Sequence, residues 1–210
     1  MKDLSLSSKF YILFSLTVSG PAFWLSNKIT NFIELVPKNN VLYKTYSWGI
    51  LDTPTALMII LGAFWLFNNY LWKISVIKKI LGTPNINGRY EGKLFSSFDE
   101  TKEYPVAIEI EQTLTNIDIF LYTPTSCSYS LVASLCKNNK GNKELVYIYQ
   151  NKTAELNNNQ DMRDHLGTTS LEIFDDGKIM KGSYFNNPRE RCRFGKIEIE
   201  KIGTVIKRKF

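Results

Sequence analysis

Two stretches without a single charged residue, Phe10 to Asn27 and Thr53 to Trp72, stand at the start of this 210-residue chain, and short runs of alternating polarity fill the remainder. About 20 predominantly apolar residues match the thickness of a bilayer's hydrocarbon core. Each stretch therefore reads as a membrane-crossing helix (about 10–27 and 53–72). The expected organisation is a helical hairpin with its connecting loop (1–79), a linker (80–87) and a soluble β domain (88–210).

Lys2 and Lys9 ahead of an apolar run also describe a secretory signal peptide. Against cleavage, the run opens with Phe10-Tyr11 and closes with Trp24, Leu25 and Ser26 in place of a small-x-small site. Tyr70 and Trp72 stand where interfacial aromatics belong, with Lys73, Lys78 and Lys79 just beyond them. Two crossings put both termini on one side, and the lysine cluster favours the cytoplasmic side of a bacterial inner membrane. Cys127, Cys136 and Cys192 are odd in number and lack CxxC spacing, the usage of reduced cytosolic thiols.

The net charge of +6 is not a nucleic-acid signature. Residues 1–79 carry +5 and the rest of the chain only +1. Attraction to anionic lipid headgroups accounts for a basic excess beside a membrane, and no basic stripe is left to track a DNA or RNA backbone.

Gly82, Pro84 and Gly88 end the last helix, and after them the apolar period becomes two. Alternation and turn residues place eight strands: 89–96, 104–112, 116–122, 128–136, 144–151, 166–173, 178–185 and 191–202. Hairpin chemistry joins them at Asn138 to Asn142, Asp175-Asp176-Gly177 and Asn186-Asn187-Pro188. With no helical pattern between strands, parallel crossovers are excluded. The expected fold is a membrane α-helical hairpin plus an all-β domain, an eight-stranded antiparallel up-and-down barrel of lipocalin-like kind, with an open sandwich as the alternative.

Alternation also assigns faces. Val106, Ile108 and Ile110 point inward, and Ala107, Glu109 and Glu111 outward. Tyr90, Gly92 and Leu94 face in, and Arg89, Glu91 and Lys93 out. In the last strand Ile197 and Ile199 point inward, and extending the period puts Gly195, Arg193 and Arg191 on the same face. An interior guanidinium is costly unless something anionic or aromatic meets it.

Two readings of Arg191 and Arg193 stay open. Asn87-Gly88-Arg89-Tyr90-Glu91-Gly92 resembles the Gly-x-Trp opening of lipocalin-like barrels, which implies that one of them stacks on Tyr90 and closes one end of the barrel; the other, with Lys181 or Arg163 nearby, binds a phosphate through its planar fork. Tyr90, Tyr104, Tyr122, Tyr129, Tyr147, Tyr149 and Tyr184 lie on or beside strands, and a nucleobase stacks on such rings. Thr168, Thr169 or Ser183 would add hydroxyls. The expected ligand-binding set is Arg191, Arg193, Tyr90, Lys181, Tyr184, Tyr147, Tyr149 and Thr169. No catalytic motif stands out, the lone His165 has no partner at metal spacing, and neither an enzymatic role nor a cofactor is expected.

Two N-terminal crossings, a linker ending Asn-Gly-Arg-Tyr-Glu-Gly and a compact eight-stranded domain finishing Cys-Arg-Phe-Gly-Lys-Ile-Glu-Ile-Glu together resemble one bacterial family. They are similar to the two-transmembrane β-strand-rich effectors of CBASS antiphage systems, which are linked to cGAS/DncV-like nucleotidyltransferases. The resemblance implies a minimal lipocalin-like barrel that senses a cyclic dinucleotide, homo-oligomerisation of the membrane helices on activation, and disruption of the inner membrane that kills the infected cell. The rival reading is a membrane-tethered lipocalin-like carrier of a fatty acid or other apolar ligand. Two separated cations with flanking aromatics favour the dinucleotide, and one cation in an apolar well favours the lipid.

Overall fold

A computed structural model describes residues 2–3, 8–41, 43–44, 52–97, 99–153, 165–186 and 193–210. The chain divides into two compact units, Leu6–Trp72 and Met1–Ser5 with Lys73–Phe210.

In the first unit α1 (Ser8–Glu34) and α2 (Asp52–Asn69) pack on each other, and a short 3-10 turn comes next at Leu71–Lys73. Aromatic side chains join them: the Phe14 ring lies 5.7 Å from Phe64 and 5.4 Å from Phe67, and Phe10 lies 5.8 Å from Phe67. Small residues Ala22, Ser26 and Ala56 are buried, whereas Ile12, Leu13, Leu16, Phe23, Trp24, Met58, Leu61 and Trp65 are exposed. No single helix among the described residues is long and apolar enough by mean hydropathy to cross a membrane; Ala56–Lys73 taken with Ser75–Leu81 reaches that length and apolarity. Hydroxyls and small polar residues dilute α1. Thr17 and Ser19 donate to carbonyls of their own helix at Leu13 and Leu16, and Asn69 donates to Trp65.

In the second unit α3 (Ser75–Leu81) ends at Gly82, whose left-handed backbone (φ 69°) returns its N–H to the Lys78 carbonyl. The chain then enters the barrel through a clamp. The Gln112 side chain accepts from Ile86 N–H at 2.8 Å and donates to the Pro84 carbonyl, while the Asn87 amide bridges the Gln112 backbone. Thr83, Pro84 and Ile86 are buried as a result.

Nine strands make up the sheet, in chain order β1 (Lys2–Asp3), β2 (Gly88–Ser96), β3 (Asp99–Gln112), β4 (Ile117–Tyr122), β5 (Ser126–Lys137), β6 (Lys143–Thr153), β7 (His165–Phe174), β8 (Ile179–Asn186) and β9 (Arg193–Gly203). The last eight pair antiparallel with their sequence neighbours, and β2 pairs with β9, so the sheet closes into an up-and-down barrel. All eight expected strands are present within a few residues of their expected bounds; Arg191, expected to begin the last, lies outside the described residues. The two-residue β1 adds to the β5 edge at Lys137 and Cys136. One seam is short. β4 and β5 pair only from Phe120↔Tyr129 to Tyr122↔Cys127, and below that Ile119 N–H turns to the Ser130 hydroxyl.

The interior obeys the alternation. Tyr90, Val106, Ile108, Ile110, Ile119, Leu145, Leu171, Met180, Ile197 and Ile199 form the core. The closing contact differs from expectation. Tyr90 sits at the closed end with its hydroxyl 2.7 Å from the Gly177 carbonyl and 3.0 Å from that of Ile86, and the cation over its ring is Lys201, 5.7 Å away. Register explains this, because Tyr90 pairs with Lys201 while Arg193 lies at the opposite end of β9.

A second difference concerns the exterior of β2 and β3. Arg89, Ala107 and Glu109 point outward as expected yet are buried. The C-terminal tail covers Arg89 and Glu109: the Glu109 carboxylate accepts from Arg89 at 2.7 Å, from Lys207 N–H at 2.8 Å and from Arg208 N–H at 2.9 Å. Arg89 in turn donates to the Lys209 carbonyl at 2.6 Å. Burial alone would push the Glu109 carboxyl up. The two backbone N–H groups and the guanidinium outweigh it and hold the acid below the usual carboxylate range.

Candidate ligand site at the barrel mouth

Eight strands leave room inside for side chains and one small ligand. Here the half toward Tyr90 is filled, and the other half opens into a cavity of about 590 Å3. Its walls come from the mouth-side ends of all eight barrel strands.

Two tyrosines are set into it by glycines on the neighbouring strand. Tyr149 pairs with Gly167 and Tyr184 with Gly195. A β-carbon on Gly167 would overlap the Tyr149 ring, and one on Gly195 would overlap both the Tyr184 ring and the Phe95 carbonyl. Each ring therefore lies across the next strand and lines the cavity. Burial pushes the Tyr184 phenol up, against the Ser96 hydroxyl and the nearby charge of Arg193, and it likewise raises Tyr149.

Arg193 opens β9 and lines the cavity, as the alternation required. Lys102 lines it from β3, with its ammonium 5.2 Å from the Tyr104 ring. The two cations stand on strands separated by β2.

Beside Arg193, whose register partner is Asn186, the mouth-side ends of β5 to β8 supply neutral polar groups. Ser128 donates to Asn151 at 2.8 Å, and the Asn186 amide nitrogen lies 3.0 Å from His165 Nε2. Thr169 is buried beside its register partner Tyr147, whose phenol burial pushes up to about 12, opposed in part by the Thr169 hydroxyl. The Tyr147 hydroxyl lies against that of Thr169, and the Asn186 side chain against the Tyr149 hydroxyl.

Of the expected ligand-binding residues, Arg193, Tyr149, Tyr184 and Thr169 are brought together here, with Tyr147 buried directly beside Thr169. Two are placed elsewhere. Tyr90 belongs to the closed end, where the register of β2 on β9 puts it, and Lys181 is on the exterior, 3.2 Å from Glu198, because inward Met180 and Gly182 flank it. Thr168 and Ser183 also face out. Arg191 and Arg163 lie outside the described residues. Asn151, Asn186, His165 and Lys102 join the site although the sequence pattern does not single them out. Asn186 has the composition of a turn residue, yet counting two on from inward Tyr184 turns it inside.

Residues 81–201 match the family model described as Cap15, cyclic dinucleotide receptor domain. The chain belongs to that family. It is also 29% identical over 146 residues to CD-NTase-associated protein 15 of Yersinia aleksiciae, covering 69% of this chain and 68% of that protein. The matched span runs from the end of α3 nearly to the end of β9, so it contains the barrel and its cavity. This agrees with the resemblance to CBASS effectors carried by the sequence.

Proposed function

We propose that the barrel of this protein is the sensor of a CBASS antiphage effector and binds a cyclic dinucleotide in its open mouth. The observation that carries the reading is the pairing of two separated cations, Arg193 and Lys102, with the rings of Tyr104, Tyr149 and Tyr184 around one cavity. A dinucleotide needs both: cations for its two phosphates and ring faces for its bases. A fatty acid would want one cation above an apolar well, and the second cation at this mouth opposes that alternative. Calorimetry of the chain against a panel of cyclic dinucleotides and a fatty acid tests it. Binding of the fatty acid alone would move the assignment to the carrier.

The output we infer is membrane damage by assembled helices at the bacterial inner membrane, with both termini cytoplasmic. Supporting this, the hairpin exposes Leu13, Leu16, Phe23, Leu61 and Trp65. The first strand, Lys2–Asp3, also pairs with the barrel, which suits an even number of crossings. For assembly the barrel offers a self-complementary face. Val132, Ile148, Thr168, Phe185 and Phe194 are successive register partners from β5 to β9, and the four apolar ones are exposed. The adjacent outward row, Ser134, Val146, Ser170, Ser183 and Lys196, is mostly small. A ridge beside a parallel trough fits a second copy of itself across a two-fold axis. Leu131 and Leu166 are exposed as well. Liposomes carrying the full chain should leak only when the dinucleotide is added, and equal leakage without it would refute the gating. A reporter fused at Phe210 tests the orientation: alkaline phosphatase activity there would overturn it.

A further inference from the structure

The part of the chain after residue 79 carries only +1, yet its charge is not evenly spread. An up-and-down barrel brings alternate turns to the same end, and two of those at the closed end carry lysines. Lys137, Lys140 and Lys143 frame the β5–β6 hairpin, and Lys178 follows the β7–β8 turn. Lys79 arrives there on α3, and Lys207, Arg208 and Lys209 on the C-terminal tail. Of these side chains only Arg208 is in an ion pair among the described residues, 3.6 Å from Glu111. Against them stand Asp118, Glu144, Glu172 and Asp175, with Asp176 taken up by Lys78. Like charges crowd here: burial first, and the charge of Lys78 second, push the Lys201 ammonium down, with Asp176 opposing.

The tail is presented in a particular way. A buried ion pair, Glu109 with Arg89, grips it by main-chain groups: the N–H of Lys207, the N–H of Arg208 and the carbonyl of Lys209. The three cationic side chains are left exposed. Two buried charges thus fix in place a segment whose outward face is cationic.

Exposed apolar groups are interspersed with these cations. On α3, Val76, Lys79 and Ile80 share one face at i, i+3 and i+4, while Lys78 turns away to Asp176. Val205 and Phe210 flank the basic run of the tail and are exposed too. Such a mixture suits the headgroup boundary of an anionic bilayer, whereas a nucleic-acid backbone would meet the cations and leave the apolar groups in water. The chain also enters the barrel at this end, through α3 and the Gln112 clamp, and α3 begins three residues after the apolar stretch that closes at Trp72. The tethered end is the basic end.

Resting on the membrane reading of the apolar stretches and not on the identity of the ligand, we propose that the closed end of the barrel is a docking face for anionic lipid headgroups. The tail cations, Lys79 and the β5–β6 lysines meet the headgroups, and Val76, Ile80 and Val205 enter the interface. The mouth is then turned away from the bilayer, toward the aqueous side from which a soluble ligand arrives.

Amine-reactive footprinting of the full-length chain tests this, in lipid nanodiscs of phosphatidylglycerol with phosphatidylethanolamine and in discs of phosphatidylcholine alone. The expected result is that Lys79, Lys140, Lys207 and Lys209 acylate at least about threefold more slowly in the anionic discs, a difference lost at about 1 M salt, where the screening length falls to about 3 Å. Lys181, on the barrel wall, should label equally in both. Lys207→Gln combined with Arg208→Gln and Lys209→Gln should abolish the protection of Lys79 and Lys140 and leave the melting temperature unchanged, because the latch holds main-chain groups of the tail. Protection that survives in this variant would overturn the docking face, since closeness through the tether would then explain it. Equal labelling in the two kinds of disc would overturn it as well, and so would equally strong protection of the same lysines by a short RNA duplex. Those outcomes leave the membrane reading standing, whereas a chain that fails to stay with the discs would remove both.

Discussion

The Tyr149 ring lies across Gly167 of the adjacent strand, in space that a β-carbon would take. Gly195 gives the same support to Tyr184, with one difference: a side chain at 195 would also strike the Phe95 carbonyl, whereas the nearest atoms at 167 all belong to the tyrosine. Gly167→Ala should therefore fold, push Tyr149 aside and weaken cyclic dinucleotide binding by about 1–3 kcal/mol, the worth of one stacked base. Gly195→Ala should lower the melting temperature of the barrel. Calorimetry and thermal denaturation on the two variants distinguish these outcomes.

Arg193→Gln keeps a polar side chain but loses the fixed charge. Affinity for the dinucleotide should fall by about 1.5–3 kcal/mol, and the dependence of affinity on salt should flatten. A titration repeated at several salt concentrations checks both.

Lys201 covers Tyr90 at the closed end, far from the mouth. Lys201→Met should cost about 1 kcal/mol of stability through the lost cation-to-ring contact, with dinucleotide affinity unchanged. Chemical denaturation alongside calorimetry shows whether closure and binding separate in this way.

The tail latch carries a pH dependence. The Glu109 carboxyl is held below its unfolded value, so its contribution is present above the ordinary carboxylate pKa and is lost as pH falls through the lower folded one. Acidification should release Lys207 to Phe210, read as faster amide hydrogen exchange in those residues while the sample is held at low pH. Glu109→Gln should show that faster exchange already at neutral pH. Removing one partner of a buried pair costs about 3–5 kcal/mol, so the variant should also melt earlier.

Phe185→Ser combined with Phe194→Ser removes the two aromatic residues of the apolar ridge without touching the cavity lining. Ligand binding should persist, and ligand-dependent crosslinking between copies should disappear.

Much of this could be read from the sequence because a strand with one buried face must alternate. Val106, Ile108 and Ile110 announce β3 and its inner face, and the turn residues at Asn138 to Asn142 and Asp175 to Gly177 mark the hairpins. The same rule carries Arg193 inward from Ile197. Parity says which face a residue takes, not what covers that face. Arg89 and Glu109 therefore read as solvated exterior charges, when a tail about a hundred residues further on buries them. Nor does parity fix register between β2 and β9, which gives Tyr90 to Lys201 and puts Arg193 at the mouth. Asn186 is hidden for a local reason: an Asn-Asn-Pro run has turn composition whether or not its first residue still belongs to the strand.

The short seam between β4 and β5 lies away from the rim. Around the lip the ladder is continuous through Tyr122↔Cys127, and the pairing lapses only lower down, where the Ser130 hydroxyl stands in for backbone and Lys2–Asp3 clips the free edge of β5. A vessel cracked near its foot but whole at its lip does not leak sideways from the top. The gap in the ladder and the strand that clips beside it thus lie together at the end of the barrel away from the cavity, where residues 2–3 are fastened.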